Sequence, residues 1–247
     1  MIDITFDFRT DAKGKDPDSH SPTLRKYHQF LWSKTLPSGR FFSLDTSDSK
    51  RYLSHRSELG EFLLTSDSVI HTYTKWKRLE SITGQFLESE KEEFVRTAYT
   101  IGGMLVFPGN RVNGMNTING ERGFNSRICD RIDLTLECIR RHYVQRDSPM
   151  APTLNRYSDF FSLFGDFHGY VDYFLLQDLV EEDGASIKFL MPFDDFQTSP
   201  VPSDVSSYAE YRIRCLDFVM ARNRRIADWV RPRIPTESAN DSFGPSN

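Results

Sequence analysis

The sequence predicts an α+β fold: a single mixed domain with a short, mostly antiparallel sheet and several amphipathic helices. Three observations predict it. Short apolar strands alternate irregularly with helical patterns, without the rhythm of repeated βαβ units. A hydrophobic fraction of 38%, with 20 Phe and 10 Tyr among 247 residues, is enough to build one core. No internal repeat or linker divides the chain, so the domain is expected over residues 1–230, with a disordered tail over 231–247 rich in Pro, Ser, Asn and Gly.

Taken in order, Ile2, Ile4, Phe6 and Phe8 alternate with Asp3, Thr5 and Asp7, the period of a half-buried strand. Ser21-Pro22 is a helix start, and Leu24, Tyr27 and Leu31 form its apolar stripe. Pro37-Ser38-Gly39 is a turn, and residues 40–44 and 51–55 read as strands. Ser66-Asp67-Ser68 reads as a capping cluster before a helix through Trp76, and residues 88–98 as a short charged helix.

The centre of the chain is residues 100–143. Six of the 14 glycines fall between Thr100 and Gly123. Thr100 to Phe107 reads as a buried strand that Pro108-Gly109 stops. Asn113-Gly114 and Asn119-Gly120 are predicted type I′ turns, with Met115 to Ile118 as a short returning strand between them. Asn125 or Ser126 then caps a helix with Ile128, Ile132, Leu136, Ile139 and Tyr143 on its apolar face and Arg127, Asp130, Arg131, Asp133, Glu137, Arg140 and Arg141 on the other. Further on, Leu154, Tyr157, Phe160, Phe161 and Phe164 form a broad apolar surface, and Gly165 and Gly169 bracket a break. Helical period resumes to a C-cap at Gly184, residues 186–191 read as a strand, and Ser203 or Asp204 caps a last helix reaching about Trp229 with Tyr208, Tyr211, Cys215 and Val219 inward.

A net charge of −4 argues against general coating of nucleic acid, but the charge is uneven. Residues 155–200 hold nine acids against two bases, whereas residues 121–146 hold six Arg against four acids. Three cysteines, Cys129, Cys138 and Cys215, cannot all pair within one chain, and no secretory signal is present, so a cytoplasmic location is expected. The longest uncharged run, residues 97–110, is too short to span a bilayer and contains glycines and a proline, so no membrane association is expected.

Turn-rich backbone ahead of a helix, flanked by Arg122 and Arg127, suits an anion, because backbone N–H groups and the helix dipole both favour negative charge there. Asn116, Asn119, Arg122, Arg127 and Arg131 are therefore the candidate ligand-binding residues. The competing reading is an ordinary hairpin followed by a surface helix whose Glu137–Arg140 and Glu137–Arg141 spacings are solvated ion pairs.

Several chemistries are disfavoured. Gly109 and Gly114 carry the spacing of a phosphate-binding Walker loop, but Met115-Asn116 stands where Lys and Ser or Thr are required. There is no Gly-x-Ser-x-Gly elbow, His-Glu-x-x-His helix or Cys-x-x-Cys pair. His55 and His71 are weak catalytic candidates, and Glu137 would be a third if the chain transferred ADP-ribose, although it lies on a helix and not at a strand end. No metal site and no cofactor are expected; Asp194-Asp195 is read as solvated.

The segments Thr100-Ile101-Gly102 with Phe107-Pro108, Ile118-Asn119-x-x-Arg122-Gly123, Asp130-Arg131-x-Asp133-Leu134-Thr135-Leu136-Glu137-x-Ile139-Arg140, and Gly169-Tyr170-Val171 leading to Leu176-Gln177-Asp178-Leu179-Val180 together resemble an uncharacterised family of bacterial proteins carrying a domain of unknown function. The resemblance runs from the N-terminus to about Arg225. It implies a bacterial, soluble, cytoplasmic protein forming one continuous domain, and it implies no activity. The functional expectation is binding of an anionic ligand, a nucleotide or single-stranded nucleic acid, at the hairpin–helix junction, with catalysis left open. The alternative is an interaction or regulatory protein that uses its acidic 155–200 region for a protein partner.

Overall fold

The computed structural model describes residues 2–46 and 52–231. The expected tail, apart from Arg231, lies outside the described residues, as does the start of the 51–55 strand. The chain forms α1 (Pro17–His20), α2 (Pro22–Trp32), β1 (Lys34–Thr35), β2 (Phe41–Phe42), β3 (Leu53–Ser57) and β4 (Gly60–Ser68). After these come α3 (Glu80–Thr83), α4 (Glu88–Ala98), β5 (Met104–Pro108), α5 (Ile118–Phe124) and α6 (Ile132–Tyr143). The remaining helices are α7 (Ala151–Asn155), α8 (Ser158–Ser162), α9 (Phe167–Phe174) and α10 (Val205–Val230). The α+β class and the antiparallel sheet are as the sequence predicts.

The main sheet has the order β3-β4-β5 and is antiparallel throughout. Leu53 pairs with Leu64, and Ser66 with Val106. β5 is an edge strand by pairing, yet every one of its residues is buried. Helix α10 packs on the segment that leads into it. It approaches so closely that a Cβ on Gly102 would lie 2.4 Å from the Val219 carbonyl, and Asn223 Oδ1 accepts the Gly102 N–H at 2.7 Å. This approach explains why the expected strand from Thr100 begins only at Met104: Ile101–Gly103 instead make a 3₁₀ turn beneath α10.

Several local expectations hold for their stated reasons. Ser21 caps α2 by accepting from Leu24 N, and Gly39 takes φ +82° in its turn. Asp204 caps α10, and Tyr208, Tyr211, Cys215 and Val219 are all buried. The aromatic surface is core: Phe160, Phe161, Phe164, Tyr170 and Phe174 pack ring against ring.

Others fail. Residues 2–8 form turns because Asp3 Oδ1 accepts from Thr5 N and Asp7 Oδ1 accepts from Arg9 N, so side chains capture the N–H groups a strand would need. Ser66, Asp67 and Ser68 do not cap a helix but end β4, paired with Val106, Leu105 and Met104. Residues 115–118 make no strand, and Asn119-Gly120 is no turn: both lie in α5, which Thr117 caps by accepting from Gly120 N. The helix expected from Asn125 starts at Ile132, since Cys129 and Asp130 both sit at positive φ, +48° and +60°, which no helix can incorporate. Gly169 lies within α9, and that helix ends at Leu175 (φ +55°), well before Gly184. Residues 186–191 contribute only an isolated bridge between Val180 and Ile187.

Buried inside this frame is one cation held by carbonyls. The Arg222 guanidinium is fully buried and donates to Gly102 O and Met104 O at 2.9 and 2.8 Å, and to Phe174 O and Leu175 O at 3.0 and 3.2 Å. It satisfies carbonyls left open where α9 ends. Burial lowers its pKa to about 10.

Candidate functional site

The junction between β5 and α6 is built differently from a solvated hairpin and surface helix. Asp133, Glu137 and Arg141 are buried with the apolar face of α6, so the charged face is neutralised inside the protein. Glu137 accepts from Arg140 Nε and Arg141 Nε, each at 2.7 Å. Burial alone would raise its carboxyl, but these bonds more than reverse that and hold it below the usual carboxylate range.

Of the expected ligand residues, Arg122 and Arg131 are internal. Arg122 is fully buried, pairs with Asp67, and donates to Thr135 Oγ1 at 3.1 Å and to the Asp130 carbonyl at 3.0 Å. Arg131 pairs with Asp133 and donates to the Pro200 carbonyl at 3.1 Å. Asn119 is turned to β4, its Nδ2 3.3 Å from both Thr65 Oγ1 and Ser66 O. Asn116 is exposed, and its carbonyl accepts from Arg156.

Of the five, Arg127 lines an open cavity. That cavity, of about 510 Å³, is lined by Arg78, Ser126, Arg127 and Cys129 on one side and by residues 196–199 on the other. Arg78, which sequence reasoning passed over, sits over Trp76, its guanidinium carbon 4.0 Å from the ring centroid. The sequence signal was a Trp two residues ahead of an Arg in a turn-forming stretch. Arg127 Nε reaches the Phe196 carbonyl at 3.4 Å. Neither Arg78 nor Arg127 has a carboxylate at ion-pair distance among the described residues.

Backbone strain gathers beside the cavity. Tyr73, like Cys129 and Asp130, has positive φ (+57°), and its hydroxyl donates to the Cys129 carbonyl at 3.1 Å. Non-glycine residues held in this region cost of order 1–3 kcal/mol each, and such strain is enriched at functional sites. His71 completes the group. Its Nδ1 accepts from Tyr73 N at 3.0 Å, and its ring lies 4.7 Å from Trp76. Burial lowers its pKa, against the pull of Asp130 and with the push of Arg122 and Arg78. His71 thus lies against Trp76, the ring that Arg78 contacts, and is not part of the cavity lining. His55 lies elsewhere: it stacks on Phe42 at 4.0 Å and is bound at both nitrogens by Ser43 O and Ser57 Oγ.

A second grouping imitates a nucleophilic triad. Ser66 Oγ lies 2.9 Å from His28 Nε2 and 3.3 Å from Asp18 Oδ1. Trp32 Nε1, which can only donate, reaches His28 Nδ1 at 2.9 Å, so the neutral ring carries its proton on Nε2 and donates to the serine. Burial, reinforced by Arg222, holds His28 down at about 3. A ring in that state cannot take the serine's proton, so Ser66 is not activated.

Among the described residues no group of three or more His, Cys, Asp or Glu side chains is placed to hold a metal ion, and no helix is long and apolar enough to cross a membrane. In the acidic region, Asp178 pairs with Arg225 and Asp195 with Arg141, so part of its charge is consumed internally.

A family model covers residues 2–226, nearly the whole of this fold. The chain belongs to DUF6994, a family of unknown function. No curated protein and no solved structure matches it. The DUF6994 match embraces Arg78, Ser126, Arg127, Cys129 and residues 196–199, hence every residue that lines the Arg78–Arg127 cavity.

Proposed function

We propose that this protein binds an anionic, phosphate-bearing ligand of nucleotide size between Arg78 and Arg127. The observation that carries the reading is the contrast among arginines. Arg122, Arg131, Arg140 and Arg141 are each neutralised by a carboxylate, while Arg78 and Arg127 line an open cavity without one. Contact with Trp76 restrains the Arg78 side chain, so less side-chain entropy is lost when its fork meets two oxygens. Ser126, Thr198 and Ser199 add hydroxyl groups at the rim. A volume near 510 Å³ lies within the usual range for small-ligand pockets and favours a mononucleotide over a nucleic-acid strand. A bacterial cytoplasm fits this reading, since all three cysteines are free and buried, as suits a reducing compartment.

Titration calorimetry with ATP, AMP and pyrophosphate at two salt concentrations tests it. Arg78→Ala and Arg127→Ala should each weaken the best of these about tenfold or more, with the melting temperature unchanged. Equal affinity in parent and both variants would sink the reading.

A further inference from the structure

On another face, a larger cavity of about 1120 Å³ runs between α2, the β1–β2 hairpin, the start of α9 and the end of α10. Its walls expose rings that the core does not use. Phe41 is 60% exposed and Phe30 45%, and Phe30 meets Trp229 edge to face at 6.3 Å.

The floor is fixed. Gly169 lets the hairpin lie directly on α9, for a Cβ there would be 2.1 Å from the Phe164 carbonyl and 3.2 Å from Pro37. Lys34 is held between three rings, with its ammonium 5.0 Å from Trp32, 4.5 Å from Tyr173 and 4.9 Å from Trp229. The rim mixes donors and acceptors of both charges: Lys26 and Gln29 on α2, His168 and Asp172 on α9. Asp172 accepts from Gln177 at 2.8 Å, which orients its carboxylate.

We infer that this groove binds a neutral oligosaccharide. Ring faces suit the apolar C–H faces of pyranose units, and closely spaced donors and acceptors of balanced charge suit hydroxyls, which both give and accept hydrogen bonds. An anion would meet Asp166 and Asp172 here, and a cation would meet Lys26 and Lys34. The groove is open and roughly twice the size of the arginine cavity, so it takes a chain of sugars, not a single ring. This site is independent of the anion-binding reading.

The test is calorimetry, with tryptophan fluorescence as a second readout, on the full chain with cellohexaose, chitohexaose, maltohexaose and xylohexaose. At least one should bind saturably. Phe41→Ala and Phe30→Ala, both at exposed positions that should not affect folding, should each weaken it about tenfold. Arg78→Ala should leave it unchanged. The inference fails if no hexaose binds at about 10 mM, a concentration at which even very weak complexes form. It fails equally if both Phe variants bind like the parent, or if a neutral Phe- and Pro-containing decapeptide binds where the sugars do not.

Discussion

Arg122 and Asp67, 55 residues apart in the chain, form an ion pair that ties α5 to the end of β4. The guanidinium is fully buried and the carboxylate 21% exposed, so the pair sits where the central strand, α5 and the strained Cys129–Asp130 backbone meet. A residue read from sequence as a ligand contact is therefore a brace for the segment that carries Arg127.

Removing one member of such a pair leaves the other charge buried without its partner. At pH 8.5, where Asp67 is ionised, Arg122→Met should cost about 3–5 kcal/mol in urea denaturation, and the double variant Arg122→Met with Asp67→Leu should recover much of it. If Arg122→Met unfolds at the parent's midpoint, the pair is not structural.

Acid–base linkage gives a second expectation. Burial pushes the Asp67 carboxyl up to about 7 from 3.8, with Arg122 opposing and Asp130 and Asp16 adding to the rise. The native state then holds a proton that the unfolded state has lost, so this group makes stability fall as pH rises from about 4 to about 7. Asp18, raised chiefly by burial and then by Asp67, acts in the same sense. His28, lowered from 6.5 to about 3, acts in the opposite sense: the unfolded state binds the extra proton, so stability rises over that interval. Each limb has a limiting slope of about 1.4 kcal/mol per pH unit, and they oppose each other in the parent. Asp67→Asn removes one falling limb, so its stability relative to the parent should climb from pH 4 to 7. Parallel profiles for the two proteins would contradict the assignment.

Gly120 lies inside α5, where a Cβ would meet Asn116 Cβ and Thr117 Oγ1 at an ordinary 3.6 Å. Gly120→Ala should stabilise by about 0.5–1 kcal/mol, since glycine loses more freedom in a helix. A lowered melting temperature would restore the turn that the Asn-Gly pair suggests.

Phe161 and Phe174 are each 1% exposed within the aromatic cluster. Truncating either to alanine should cost about 3–5 kcal/mol through lost burial and the cavity left behind. Melting like the parent would mean that the cluster repacks around the gap.

What was legible in the sequence followed from local chemistry. Ser21-Pro22 and Asp204 announce helix starts through side-chain caps, and the Phe160–Phe174 stripe announces core through its spacing. The β5–α6 junction was legible in place but not in detail. Arg122, Arg131 and Glu137 sit on a polar-looking face, and only tertiary contact reveals that Asp67, the Pro200 carbonyl and Arg141 consume their charge. Asn119-Gly120 carries the strongest short-range turn signal, yet Thr117 caps a helix across it. Arg78 was missed because its role depends on Trp76 beneath it and on a loop more than a hundred residues later.

The carbonyls that Arg222 collects belong to segments that emerge from the ribosome long before it does. Until α10 has been made, the Gly102, Met104 and Phe174 carbonyls have only water to bond, beside uncovered apolar surface, and the Gly102 N–H lacks the Asn223 acceptor as well. Native closure of this domain accordingly waits for α10. A chain that stops before Val205 leaves the turn ahead of β5 uncovered, and apolar surface exposed in that way favours aggregation of truncated products.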